Sequence, residues 1–149
     1  MERMALPNLP CLCGTLRRTA RVVTQAYDQA LRPTGLRATQ FTVLQALSLA
    51  GEVSQGQLGE SLGIDSTTLT RTLKVMRREG WIAERAGEDR RERWIRLAPA
   101  GQERFRLAVP AWDEAQARLR RWLGEQGWQE LMEMSNRVTE MVTREGDVS

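Results

Sequence analysis

The 149 residues include no histidine and only two cysteines, Cys11 and Cys13. The missing imidazole removes His-based zinc sites, Ser-His and Cys-His nucleophile pairs and a simple imidazole pH switch. Two cysteines cannot make the disulfide framework of a secreted mini-protein. No apolar run approaches the roughly 18 residues that suggest a membrane span. The opening MERMALPNLPCLCG has neither a proper h-region nor a small-residue cleavage site, so the chain is expected in the cytoplasm, with no membrane partner. Paired carboxylates, a nucleophile with its base and a phosphate-cradling loop are also missing. The chain therefore reads as a non-enzyme with no catalytic residue, metal ligand or cofactor. Lys74 is the one lysine among 22 basic residues, a bias that base composition explains as well as chemistry does.

What is present is ordinary for a folded protein: 41% hydrophobic and 28% charged residues, in a length that suits one domain with helical appendages. The net charge of +3 is unevenly spread. Residues 1–101 carry 15 Lys/Arg against 10 Asp/Glu, and residues 102–149 carry 7 against 9. A basic partner surface would lie in the first two thirds.

Between Cys11 and Leu31 the apolar positions Leu12, Leu16, Ala20, Val23, Tyr27 and Leu31 recur every three or four residues, an amphipathic helix that Pro33 and Gly35 end. A second helix is predicted from an N-cap at Thr39 to Gly51, a third from Ser54 to Leu62, and a fourth from Asp65 to Gly80. The period then changes. Trp81–Arg85 and Arg93–Leu97 read as strands joined by a polar turn containing Gly87. Pro99 opens a further helix in which Phe105, Ala108, Trp112, Ala115, Leu119 and Trp122 form a seam, with a kink expected at Pro110. Beyond Gly124 and Gly127 a last helix carries Leu131, Met134, Val138 and Met141.

Within Gln57–Leu73, Leu58 and Leu62 face Ile64, Leu69 and Leu73 across a reversal at Gly63, and Gly59 is small where the two helices must approach. This is a helix-turn-helix pattern. Its second helix offers Ser66, Thr67, Thr68, Thr70, Arg71 and Lys74, side chains suited to base edges and phosphates in a major groove. Helix capping by Asp65, Ser66 and Thr67 is the plainer reading, but it does not account for a run of exposed threonines, which are poor helix formers.

A hairpin directly after that helix makes a winged helix. The stretch Gly87–Leu97 puts seven charges in its first ten residues, and Arg90, Arg91 and Arg93 lie in or beside the turn, where a narrow minor groove attracts arginine. Asp89 is placed to hold one of them in position. A solvated, charge-mixed hairpin tip is the competing account.

The combination of Gln57-Leu-Gly-Glu-Ser-Leu-Gly63, Thr68-Leu-Thr-Arg-Thr-Leu73, Glu79-Gly-Trp-Ile82, Asp89-Arg-Arg91 and Ile95-Arg-Leu-Ala-Pro-Ala-Gly101 resembles the MarR family of bacterial transcriptional regulators, from about Cys11 to about Arg144. The resemblance implies a mainly α fold with a small β-hairpin wing. It implies a single MarR-type domain over residues 1–149, with a winged helix-turn-helix lobe at 37–98 and dimerisation helices at 11–32 and 102–145. It further implies a homodimeric repressor on pseudo-palindromic operator DNA, often released by a small, frequently phenolic effector, with Asp89 orienting Arg91 in the minor groove. Ala98 departs from the family, which commonly has Thr before Pro-x-Gly, and removes a side-chain cap from the next helix.

The amount of apolar helix face, with Trp112, Trp122 and Trp128 on it, independently favours a dimer over an intramolecular bundle. Two readings stand beside a ligand-controlled repressor. In one, Cys11 and Cys13 are redox-active, against the alternative that they only pack. In the other, the winged helix binds protein and never touches DNA, against which Arg71, Lys74, Arg77 and Arg78 count.

Overall fold

The computed structural model describes residues 10–146; the first nine residues, which carry most of the segment searched for a secretory leader, lie outside them. The elements in chain order are α1 (Leu12–Leu31), α2 (Ala38–Ala50), β1 (Val53–Ser54), α3 (Gln55–Leu62), α4 (Ser66–Arg78), β2 (Ile82–Ala86), β3 (Arg93–Leu97) and α5 (Pro99–Gly146), with a 3-10 turn at Arg32–Thr34. Contacts divide the chain into two compact units, Met1–Trp112 and Asp113–Ser149. Among the described residues no helix is long and apolar enough to cross a membrane.

The first unit is built around one apolar core. Leu31 of α1, Phe41, Val43, Leu44 and Leu47 of α2, Leu58 of α3, Leu69, Leu73 and Met76 of α4, Ile82 and Ile95 of the sheet, and Ala108 of α5 are all buried. Phe41 meets Phe105 and Trp112 with ring centroids 5.3 and 5.6 Å away. Trp112, expected on an open dimer face, is thus half-covered within its own lobe. In the second unit Trp128 is half-buried with the Arg120 guanidinium 5.3 Å over its ring, whereas Trp122 is 70% exposed.

Local chemistry explains most of the boundaries. Ser54 caps α3 reciprocally: its Oγ accepts from Gln57 N at 3.2 Å while its own N–H donates to Gln57 Oε1 at 3.2 Å. Asp65 caps α4, as expected. Gly63 turns left-handed at φ 63, the reversal that a Cβ would strain, and a Cβ on Gly59 would come within 3.2 Å of Ile64 O and Leu69 Cδ2. The α2 boundary differs from expectation. Arg37, not Thr39, is the N-cap, because Asp28 of α1 reaches over to accept the Ala38 N–H at 2.7 Å and Gln40 Oε1 accepts the Arg37 N–H at 2.9 Å.

The sheet has three strands, not two, in the order β1-β3-β2, all antiparallel. Ile82 pairs with Leu97 and Glu84 with Ile95, while Val53 takes the other side of Ile95. In α5, Pro110 is accommodated within the helix, and the non-helical backbone falls instead at Gly124 (φ 74, ψ 161). Ala98 supplies no side-chain cap, yet its carbonyl accepts the Gln102 N–H at 3.0 Å and α5 starts at Pro99.

Gly101 makes that start possible. A Cβ there would lie 1.9 Å from the Trp81 carbonyl oxygen, the same oxygen that accepts the Ala98 N–H at 2.9 Å. Neither group is a flexible side chain that can move aside. Gly101→Ala is expected to destabilise by about 3 kcal/mol, the upper range for overpacking, seen as a lower denaturant midpoint at unchanged slope. A midpoint within error of wild type would show that the α5 start slides away freely.

Candidate nucleic-acid interface

Helix α4 buries Leu69, Leu73 and Met76 and leaves Ser66, Thr67, Thr70, Arg71, Lys74 and Arg78 exposed. Thr67, Arg71, Lys74 and Arg78 recur at helical spacing on one outward face. Ser66, Thr67, Thr70, Arg71 and Lys74 line one shallow hollow of about 380 Å³. Among the described residues the guanidinium groups of Arg71 and Arg78 and the Lys74 ammonium pair with no carboxylate. This helix face therefore offers uncommitted donors to an anionic partner.

Two of the threonines are already engaged. The Asp65 carboxylate accepts both the Thr68 N–H at 2.9 Å and the Thr68 hydroxyl at 2.7 Å. The Thr68 backbone bond, then its hydroxyl bond, hold the Asp65 carboxyl below its ordinary 3.8. Thr68 thus belongs to the cap, with its hydroxyl proton spent, more than to an outward-reading face. Thr70 accepts from Gln55 Nε2 at 3.1 Å, a link between the first residue of α3 and the middle of α4. Gln55 was missed from sequence, since fifteen residues separate the partners and no local pattern marks them.

In the wing, Arg90 and Arg91 are exposed and pair with no carboxylate among the described residues. Asp89 does not grip the Arg91 guanidinium. Its Oδ1 accepts the Arg91 backbone N–H at 3.1 Å and its carbonyl accepts the Glu92 N–H at 3.0 Å, so Asp89 shapes the turn from which Arg91 projects. Gly87 closes that turn by donating to Glu92 O at 3.0 Å, in a place where a Cβ would meet Glu92 and Trp94 within 3 Å.

Arg93, in contrast, is partly committed, with Nε 3.9 Å from Glu84 Oε1. Arg85 is fully so. It donates to Glu52 Oε1 at 3.0 and 2.6 Å and lies 5.3 Å over the Trp94 ring, and this bond holds the Glu52 carboxyl below its ordinary range. The wing and the start of α4 come together: Ser66, Arg91 and Arg93 line one groove of about 510 Å³ with Gln55, Gly56 and Glu60. Cys11 and Cys13 stand elsewhere, at the exposed start of α1, where Cys11 Sγ accepts the Gly14 N–H at 3.4 Å and Arg17 donates to Cys13 Sγ at 3.8 Å.

A helix-turn-helix with a cationic outer helix, followed by a hairpin with an arginine-tipped turn, defines a winged-helix nucleic-acid-binding protein. The MarR family profile matches residues 34–92, the lobe that carries these features. The chain is 30% identical over 94 residues to the uncharacterized HTH-type transcriptional regulator YwoH of Bacillus subtilis, covering 63% of this chain and 69% of that protein. It is 32% identical over 105 residues to the HTH-type transcriptional regulator PecS of Dickeya dadantii, covering 67% and 63%. It also matches the crystal structure of the M. tuberculosis transcriptional regulator MosR in complex with DNA, at 38% identity and TM-score 0.79 over 90% of this chain and 97% of that one. The chain belongs to the MarR family and is a DNA-binding transcriptional regulator.

Proposed function

We propose that the protein is a repressor that binds a pseudo-palindromic operator as a homodimer, with α4 in the major groove and the wing turn in the adjacent minor groove, and that a small effector of phenolic type releases it. The observation that carries the DNA geometry is the set of uncommitted cations, Arg71, Lys74 and Arg78 on α4 and Arg90 and Arg91 on the wing, in a lobe where Arg77, Arg85 and Arg93 are drawn to carboxylates. In this reading Ser66, Thr67, Thr70 and Arg71 meet base edges, Lys74 and Arg93 meet phosphates, Arg90 and Arg91 enter the minor groove, and Thr68 and Asp89 hold the two elements in shape. Selection of bound sequences from a random duplex pool tests it. An enriched twofold-symmetric site is the expected result, and enrichment of unpaired half-sites would count against the dimeric geometry. The effector is part of the family's pattern; a melting temperature that rises with added phenolic compounds would support it, through preferential binding to the native state.

The exposed thiols favour a second reading as well. The Gly14 N–H and the Arg17 guanidinium are donors aimed at the exposed Cys11 and Cys13 sulfurs. Attack of a cysteine thiolate on a peroxide oxygen leaves a sulfenic acid and releases hydroxide. A peroxide-treated protein is expected to lose operator binding and to regain it with dithiothreitol. A Cys11→Ser/Cys13→Ser variant that loses binding to the same extent would remove the thiols from the account.

A further inference from the structure

Between α4 and the hairpin runs a groove of about 610 Å³, lined by Gln55, Thr70, Arg77, Glu84, Arg85 and Arg93 among others. Three of these are arginines and one is an acid. Arg85 is drawn off to Glu52, which leaves Glu84 with the other two. From the middle of β2 its carboxylate pairs with Nη1 of Arg77, on α4, and stands 3.9 Å from Nε of Arg93, on β3. Its side chain is 18% exposed, and those of Arg77 and Arg93 are 50% and 51% exposed.

Half-exposed ion pairs of this kind add little to stability. Their position matters more. A duplex that takes α4 into its major groove and the wing turn into the neighbouring minor groove must carry the strand between those grooves across this seam. A fixed anion at the seam opposes that strand, while the two arginines beside it are suited to a phosphate.

We propose that Glu84 is an internal stand-in for a backbone phosphate: it holds Arg77 and Arg93 in the free protein and yields them to the DNA strand that crosses between α4 and the wing. The inference rests on the DNA-binding geometry given above and adds a brake to it. Because phosphate carries no sequence, Glu84 sets overall affinity and salt dependence without altering base preference.

Glu84→Gln keeps the shape and removes the charge. Binding of a mixed-sequence duplex, followed by fluorescence anisotropy between ~50 and ~200 mM salt, is expected to tighten and to depend on salt more steeply by about one unit of slope. The gain at low salt should be roughly three- to tenfold, the affinity equivalent of an exposed pair that need not be broken and of a carboxylate no longer facing the strand. In the Arg77→Ala/Arg93→Ala background the same change should give no gain. Glu79→Gln, which removes a carboxylate at the end of α4 that pairs with no arginine among the described residues, should give little. Equal or weaker binding by a folded Glu84→Gln would overturn the proposal in favour of Glu84 as an aiming group. A gain that persists without Arg77 and Arg93 would reduce it to bulk charge. A wild-type protein that binds no duplex would overturn both this inference and the geometry beneath it, and so is distinguishable from either result.

Discussion

Arg91→Ala is expected to weaken operator binding by about ten- to hundredfold, the range of one specific contact of ~1–3 kcal/mol, with melting temperature and oligomeric state unchanged. The stability half of that expectation follows from the wing itself. Arg91 is exposed, its guanidinium pairs with no carboxylate among the described residues, and only its backbone N–H takes part in the turn. Alanine keeps that N–H. The binding half follows from charge: a guanidinium with no internal partner gives up little when it enters the negative field of a narrow minor groove. The slope of affinity against salt should also fall by about one unit. Asp89→Ala is expected to act in the same direction with a smaller effect, because it loosens the turn without removing the cation. Gel-shift titration of both variants against the selected operator checks this, and an Arg91→Ala protein with wild-type affinity would make the wing a bystander.

Much of this site was legible in sequence, and the reason is local. Ser54, Asp65, Gly63 and Gly59 announce a capped, tightly reversed helix pair within about one helical turn on either side, and the structure returns the same caps and the same close approach. The wing was legible because strand alternation and a turn-rich interval need only a dozen residues. What was not legible depends on partners distant in sequence. The β1 strand is two residues long, too short for any periodicity, and exists because Val53 and Ser54 find Ile95 and Trp94. The α2 start moved because Asp28, ten residues back, supplies its cap. Asp89 was expected to steer a guanidinium and instead binds a backbone amide two residues on, which residue type alone does not decide. Glu84 has no local mark in the sequence, because its partners are Arg77, seven residues before it, and Arg93, on the next strand.

The other large effect concerns the helical segment beyond Trp112. Leu131, Met134 and Met141 are 41%, 51% and 57% exposed, with the half-buried Val138 between them at the spacing of a helical seam. Trp122 nearby is 70% exposed. On α1, Leu12 and Leu16 are exposed at 66% and 44%. Each such side chain, if buried, contributes about 1.5–3 kcal/mol, so a self-complementary pairing of these faces would supply a large driving force for a twofold dimer. The charge distribution is compatible with that arrangement, since residues 102–149 hold 9 acidic against 7 basic groups and need no part in DNA contact. Placing carboxylates on the seam should therefore undo the pair. In Leu131→Asp/Val138→Asp two unpaired charges would have to be desolvated at the interface, a cost that dimerisation cannot absorb. In the monomer Leu131 is exposed and Val138 only half-covered, and both belong to the second unit, so the lobe around Phe41, Leu44 and Ile95 is expected to stay folded. On a twofold operator a lone lobe would read half of the site. Two lobes on one face of the duplex must present their α4 helices about one helical turn apart, roughly 34 Å, or a multiple of it. The double variant is expected to sediment as a monomer and to bind operator and scrambled duplex with nearly equal, weak affinity. A folded monomer that still discriminates between them as the wild type does would sink the two-lobe mechanism.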